Sequence, residues 1–107
     1  MYVVIVGCSE SGYHLSKALI AGGHEVVVVE KDTKRFQLLN EEMGSVALLG
    51  DGTDEVTLKR AGVARADVVV SLTGVDATNL VISQMTKHIF NVPRTMALIK
   101  DPKNEPI

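Results

Sequence analysis

The sequence has little of several residue types, and each shortage excludes a class of protein. It contains one cysteine, Cys8, so no internal disulfide can form, which fits a reducing, cytosolic setting. No apolar run approaches the ~18 residues that a membrane-spanning helix needs. The first apolar stretch is short and runs straight into Gly7, which is unlike the leader of a secreted protein.

The charges are nearly balanced, with 11 lysines and arginines against 13 aspartates and glutamates. Because nucleic acids and anionic membranes attract basic proteins, we expect no nucleic-acid partner and no direct membrane insertion. Hydrophobic residues make up 46% of the chain and charged residues 22%, which is typical of a soluble globular domain.

A domain usually takes ~100–200 residues, so we expect one domain, 1–107. If one binding fold uses the whole chain, no residues are left for a substrate domain, which favours a sensor over an enzyme.

Valine-rich runs alternate with helical patterns along the chain. The first run is continuous and apolar, as in a strand that is buried on both faces of a parallel sheet. Glycines follow several of the helical patterns, where helices commonly end. The predicted strands are 2–6, 25–30, 46–49, 67–72 and 95–99, and the predicted helices are 11–21, one between Asp32 and Gly44, a short one after Thr53 or Asp54, and 77–90.

This alternation predicts an α/β fold, namely a three-layer, doubly wound parallel sheet of the Rossmann-like kind with strand order 3-2-1-4-5. The ligand crevice of such a sheet lies at the carboxyl ends of the strands, near the switch between strands one and four. Complete folds of this kind often have a sixth strand. We therefore expect the chain to stop before a final helix and strand, as a fragment of a longer protein would.

The spacing of apolar residues predicts which helix faces pack on the sheet. Asp32 and Asp76 are the predicted N-caps of the second and fourth helices. The predicted stripes are Leu15, Ala18 and Leu19 on the first helix, Phe36, Leu39 and Met43 on the second, and Val81, Met85 and Ile89 on the fourth. The short third helix carries Val56, Leu58 and Ala61, and no inward face is predicted for it.

The first candidate site is a glycine-containing turn between the first strand and the first helix. It matches the dinucleotide-binding pattern G-x-G-x-x-G at its first and third glycines, but serine stands at the middle position. Such a turn brings backbone N–H groups and a helix N-terminus close to a pyrophosphate. A plain strand-to-helix turn without a ligand is the alternative. The candidate residues are Gly7, Cys8, Ser9, Glu10, Ser11 and Gly12.

The second candidate is Glu30, which ends the second predicted strand. An acid at about this distance after the glycine turn accepts hydrogen bonds from the hydroxyls of an adenosine ribose and repels a 2′-phosphate, which favours NAD over NADP. Lys31 and Arg35 lie close by, and Arg35 is placed to reach a phosphate or the adenine ring. A solvated glutamate and two surface cations are the alternative.

Two further loops end at the same edge of the sheet. Acceptors and donors for adenine or ribose follow the third strand, although the same residue types also make an ordinary helix-capping turn. After the fourth strand, Thr73 and the backbone of Gly74 are placed to line the pocket beside the phosphates or the distal half of a dinucleotide, and an ordinary first-turn position on the helix is the alternative for Asn79. The candidates are Gly50, Asp51, Gly52 and Thr53 after the third strand, and Leu72, Thr73, Gly74 and Asn79 after the fourth.

No catalytic or metal site is expected. His14, His24 and His88 have no metal-like spacing with each other or with Cys8. Cys8 precedes a helix N-terminus, which would lower its thiol pKa, but we expect it to be a small buried side chain instead.

Together these segments resemble the N-terminal lobe of the TrkA-type regulators of potassium transport, the KTN/RCK domain. The resemblance covers nearly the whole chain. Its most specific parts are the G-D-x-T segment, Gly50 to Thr53, and the L-T-x-x-D-x-x-N-L segment, Leu72 to Leu80. A generic dehydrogenase would not be expected to carry both in this order.

The resemblance implies a cytoplasmic, non-enzymatic domain that binds NAD(H) or an adenine nucleotide such as ATP, ADP or AMP. It also implies a homo-oligomer that acts on a membrane potassium transporter or channel subunit at the inner face of the cell membrane. Two alternatives stay open from the residues: the cofactor domain of an NAD-dependent oxidoreductase, and an interaction domain in which Ser9 has abolished ligand binding.

Overall fold

Five parallel strands form the centre of the protein, as shown by a computed structural model that describes residues 1–101 and 103. They lie in the order β3-β2-β1-β4-β5. The prediction of a doubly wound Rossmann-like sheet is confirmed. The elements are β1 (Tyr2–Val6), α1 (Glu10–Ala21), β2 (Glu25–Glu30), α2 (Thr33–Met43), β3 (Ala47–Leu49), α3 (Glu55–Arg60), a 3-10 turn (Val63–Arg65), β4 (Val68–Ser71), α4 (Asp76–His88) and β5 (Arg94–Ala97).

The valine-rich sequence of β1 follows from its central position, because a strand between two parallel neighbours is covered on both faces. All five of its residues are buried. Val3 and Ile5 pack with Val28 and Leu39 on the face that α1 and α2 cover. Alternate residues face the opposite layer, where side chains of α3 and α4 complete a second core that includes Val4, Val6, Leu58 and Ile82. The sheet is thus held between two layers of helices.

The buried face of α4 differs from the predicted one. Val81 and Ile89 are about half exposed, and Met85 is only partly buried, whereas Asn79, Ile82 and Thr86 are buried. The spacing rule failed because two of the inward residues are polar. The Thr86 hydroxyl donates to the Ile82 carbonyl at 2.9 Å, so that its burial leaves no unpaired donor. The prediction for this helix was wrong at Val81 and Ile89.

The buried faces of α1 and α2 also differ in part from those that apolar spacing predicted. On α2 only Leu39 is buried, while Phe36 and Met43 are partly exposed. On α1 Leu15 and Leu19 pack against the core but Ala18 is exposed, because it lies at the edge of the stripe.

The two aspartates predicted as helix N-caps also differ from the prediction. Asp32 occupies the N-cap position of α2, but its side chain makes no capping hydrogen bond and lies 3.8 Å from the Arg35 guanidinium. Val75, not Asp76, is the N-cap residue of α4. The Asp76 carboxylate instead accepts hydrogen bonds from the backbone N–H groups of Lys100 and Asp101, both at 2.9 Å. Long-range acceptance of this kind has no local sequence signature.

Within the described residues, no helix is long and apolar enough to cross a bilayer. The sequence predicts that Asp101-Pro102 leads into an exposed tail, and this tail falls, except for Lys103, outside the described residues.

Candidate functional site

A cavity of about 140 Å³ opens where the carboxyl ends of β1 and β4 separate the two halves of the sheet. This is the switch point at which doubly wound sheets bind ligands. We call it the crevice. Eleven candidate residues line it, drawn from the loops after β1, β2, β3 and β4: Gly7, Cys8, Ser9, Glu30, Lys31, Arg35, Gly50, Asp51, Gly52, Thr73 and Gly74.

The structure places the other candidates around the crevice rather than in its lining. Glu10, Ser11 and Gly12 belong to the first turn of α1, and Leu72 is buried in the core. Thr53 and Asn79 hold neighbouring residues in place, as described below. The lining also includes five residues that sequence reasoning missed, namely Val6, Val29, Val75, Thr78 and Ile82.

Gly7 permits the close approach of two loops. Its φ is +94°, a conformation that strains any residue with a Cβ. A Cβ at Gly7 would lie 2.7 Å from the Thr73 nitrogen and 2.8 Å from its Cα. A Cβ at Gly12 would lie 2.6 Å from the Gly7 carbonyl oxygen. The first and third glycines of the turn are therefore required by packing between backbone segments.

Ser9 fits where the pattern has glycine because its backbone is extended, with φ −69° and ψ 174°. It is the N-cap residue of α1, and its hydroxyl oxygen accepts a hydrogen bond from Gly12 N at 3.3 Å. The first backbone hydrogen bond of the helix runs from Tyr13 N to the Ser9 carbonyl. The N–H groups of Glu10 and Ser11 precede that bond, so the helix end can donate to an anion.

Glu30 connects the two loops at the centre of the crevice. Only 5% of its surface is exposed. One carboxylate oxygen accepts from Cys8 N and the other from Asp32 N, both at 2.8 Å. Because each carboxylate oxygen has a further acceptor site, the side chain can still receive hydroxyl donors from the crevice. Glu30 thus holds the glycine turn in place and presents a negative charge to the crevice.

The loop after β3 is shaped by Asp51 and Gly52. The Asp51 carboxylate accepts from Thr53 N at 2.9 Å and from the Thr53 hydroxyl at 2.8 Å. These hydrogen bonds, together with the positive charge of Lys31, lower the pKa of Asp51. Thr53 therefore donates to Asp51, which itself lines the crevice. Gly52 is buried, and a Cβ there would overlap the Val6 side chain.

Asn79 lies behind the wall that the loop after β4 forms. Its side chain is fully buried and hydrogen-bonded to Thr73, which lines the crevice. We therefore assign it a supporting position rather than contact with a ligand.

Cys8 does not have a lowered pKa. Burial raises the pKa of its thiol, and the negative charge of Glu30 raises it further, with a smaller opposing effect of Arg35. The side chain packs at the edge of the α1–α2 core. This agrees with the expected small packed side chain and not with the lowered pKa that a helix N-terminus would give, because burial and Glu30 outweigh the helix end.

The raised pKa of the Cys8 thiol predicts slow alkylation of this residue. Iodoacetamide reacts with the thiolate, so we expect the pH midpoint of the labelling rate to lie above that of the same cysteine in an unfolded, acetylated and amidated peptide of residues 5–12 in the same buffer. Mass spectrometry of time points across a pH series measures both. A midpoint at or below that of the peptide would contradict the described surroundings of Cys8.

The described part of the chain contains no cluster of three or more His, Cys, Asp or Glu side chains that could hold a metal ion.

The sequence matches the family model of the TrkA-N domain over residues 3–107. The chain belongs to the TrkA-N domain family. The family resemblance predicted from the loop motifs is confirmed.

A relative of this TrkA-N domain is the Trk system potassium uptake protein TrkA of Streptomyces coelicolor, which is 32% identical over 103 residues. The match covers 96% of this chain and 46% of that protein. The chain thus spans about half the length, or less, of the curated relatives it matches.

Solved structures share the fold of this TrkA-N domain. The NAD(P)-binding domain of an exopolyphosphatase-related protein from Archaeoglobus fulgidus has a TM-score of 0.84 and 25% identity, over 96% of this chain and 76% of that one. The Shewanella denitrificans Kef CTD in its AMP-bound form has a TM-score of 0.72 and 20% identity, over 90% of this chain and 57% of that one.

Proposed function

We propose that the chain is a regulatory module that binds an adenine nucleotide or NAD(H) and belongs to a potassium uptake system. The observation that carries this proposal is the buried Glu30 carboxylate, which faces the crevice while it holds the glycine turn. In this arrangement the ribose hydroxyls donate to Glu30. The phosphate accepts from the N–H groups at the start of α1, and the adenine lies beside Asp51 and Gly52.

The ligand acts through its different affinity for two conformations and is not transformed. The names of the relatives support a role in potassium uptake rather than in catalysis. The proposed partner is a membrane potassium transporter or channel subunit, on which a cytoplasmic homo-oligomer of the whole protein acts. The exopolyphosphatase-related neighbour is described as NAD(P)-binding and the Kef neighbour as AMP-bound, and these descriptions support both ligand classes.

Isothermal titration calorimetry tests the proposal with NADH, NAD, ATP, ADP and AMP. We expect at least one of them to bind. Because Glu30 accepts from ribose hydroxyls and repels a 2′-phosphate, 2′-deoxy-AMP should bind more weakly than AMP and NADPH more weakly than NADH. Absence of binding by all five ligands at millimolar concentration would overturn the proposal. It would leave an interaction domain as the remaining explanation.

A further inference from the structure

Asn79, in the first turn of α4, connects the crevice wall to another part of the chain. Its side-chain oxygen accepts from Thr73 N at 2.9 Å and from the Thr73 hydroxyl at 2.6 Å. Its amide nitrogen donates to the Thr73 carbonyl at 3.1 Å and to the Leu98 carbonyl at 2.9 Å. A carboxamide has two donor hydrogens and one oxygen with two acceptor sites, so all its capacity is used. Three of these bonds hold Thr73, and the fourth holds the residue that follows β5.

Asp76 extends the same connection. It lies three residues before Asn79 on α4, and residues at that spacing are neighbours on a helix surface. One of its carboxylate oxygens accepts from Lys100 N and the other from Asp101 N, both at 2.9 Å. We call residues 98–101 the post-β5 segment. Its first residue also bonds to the sheet, through Leu98 N and the Ser71 carbonyl at 2.9 Å.

On its other side, Thr73 touches the glycine turn. The space that a Cβ of Gly7 would need is occupied by the backbone and methyl group of Thr73. The rest of the loop is accessible from the crevice side, because Val75 is 57% exposed and the space beside Gly74 is open. A ligand in the crevice would therefore add contacts to a loop that Asn79 holds from behind.

We propose that the first turn of α4 couples occupancy of the crevice to the post-β5 segment, with Asn79 and Asp76 as positioning residues. The inference rests on the proposed function, because it requires a nucleotide in the crevice. A ligand that fixes Thr73 and Gly74 stabilises the α4 turn, and that turn retains the post-β5 segment. By linkage, the same free energy acts in reverse, so release of the segment weakens the ligand.

Two measurements test the coupling. The first is amide hydrogen exchange of Leu98, Lys100 and Asp101 by NMR, with and without AMP or, if AMP does not bind, the tightest ligand of the calorimetric panel. We expect saturation to slow exchange at these amides by about fivefold or more, the low end of typical coupling.

The second measurement is the Kd of that nucleotide for Asp76→Ala. Asp76 does not line the crevice, yet we expect its loss to raise Kd by roughly fivefold or more. A merely structural role would lower the melting temperature without changing the affinity of the folded protein. The matched control is Asp67→Ala, which removes a carboxylate that accepts from Tyr2 N at 2.7 Å, at the amino-terminal end of β1 and β4 and away from the crevice, and should leave Kd unchanged.

The outcomes separate this inference from the function on which it rests. Binding with unchanged exchange at 98–101, or an unchanged Kd in Asp76→Ala, would overturn the coupling and leave the proposed function intact. An equal rise of Kd in Asp67→Ala would also overturn it, because the effect would not be specific to α4. Absence of nucleotide binding to the unsubstituted protein would overturn both.

Discussion

Replacement of Glu30 by alanine is expected to weaken adenosine ligands by about 1–3 kcal/mol, the usual effect of losing a charged hydrogen-bond partner. That loss corresponds to a roughly 5- to 150-fold rise in Kd. Two causes act together. The ribose hydroxyls lose their acceptor, and the N–H groups of Cys8 and Asp32 lose the oxygens that hold the glycine turn in place. Calorimetric titration of the variant with AMP and NADH gives the value.

Glu25→Ala is the matched control for this experiment. Glu25 begins the strand that Glu30 ends, and it is exposed. Its removal changes the net charge by the same amount without touching the crevice, so Kd should stay within error of the unsubstituted protein. A Kd unaltered in Glu30→Ala, with the variant shown to be folded by its melting curve, would remove Glu30 from the binding site.

Gly7→Ala is expected to have the largest effect on stability, a loss of about 2–5 kcal/mol in the free energy of unfolding. Part of this comes from the φ of +94°, which costs a residue with a Cβ ~1–2 kcal/mol. The rest comes from contact with the backbone of Thr73, which cannot move aside as a flexible side chain would. Urea denaturation followed by circular dichroism measures the change.

Two other glycines separate these causes. Gly23 has φ +85° but no atom within 4 Å of an added Cβ, so Gly23→Ala should show the conformational cost alone. Gly74 lines the crevice but has neither constraint, so Gly74→Ala should change stability by no more than about 0.5 kcal/mol. Equal destabilisation by Gly7→Ala and Gly23→Ala would show that the Thr73 contact has little energetic weight.

The architecture was predictable because the apolar runs that mark strands and the glycines that end helices are local features of the sequence. The continuous apolar run of β1 implied a central strand, and the alternation of strands with helices implied the observed strand order. The inward face of α4 was not predictable from apolar spacing, because Asn79 and Thr86 are buried there with their hydrogen bonds satisfied. Thr86 donates within its own helix and Asn79 reaches the distant Leu98 carbonyl, and apolar spacing signals neither arrangement.

The lining of the crevice was predictable to a similar extent. Motif spacing located the loops around the crevice, since parallel strands bring their carboxyl ends to one edge. It did not reveal that Glu30 also binds two backbone N–H groups, because backbone donors have no residue signature. Val75 and Thr78 were missed although they lie inside the recognised L-T-x-x-D-x-x-N-L segment, between Thr73 and Asn79. A loop motif identifies the loop, but it does not show which of its side chains line the crevice.

A crystal structure of the chain grown with millimolar AMP, or with the tightest ligand of the calorimetric panel, would show where the nucleotide binds. We expect ribose hydroxyls within hydrogen-bonding distance of the Glu30 carboxylate and a phosphate at the N–H groups of Glu10 and Ser11. A nucleotide bound elsewhere on the surface, or one in the crevice with its ribose turned away from Glu30, would contradict this expectation.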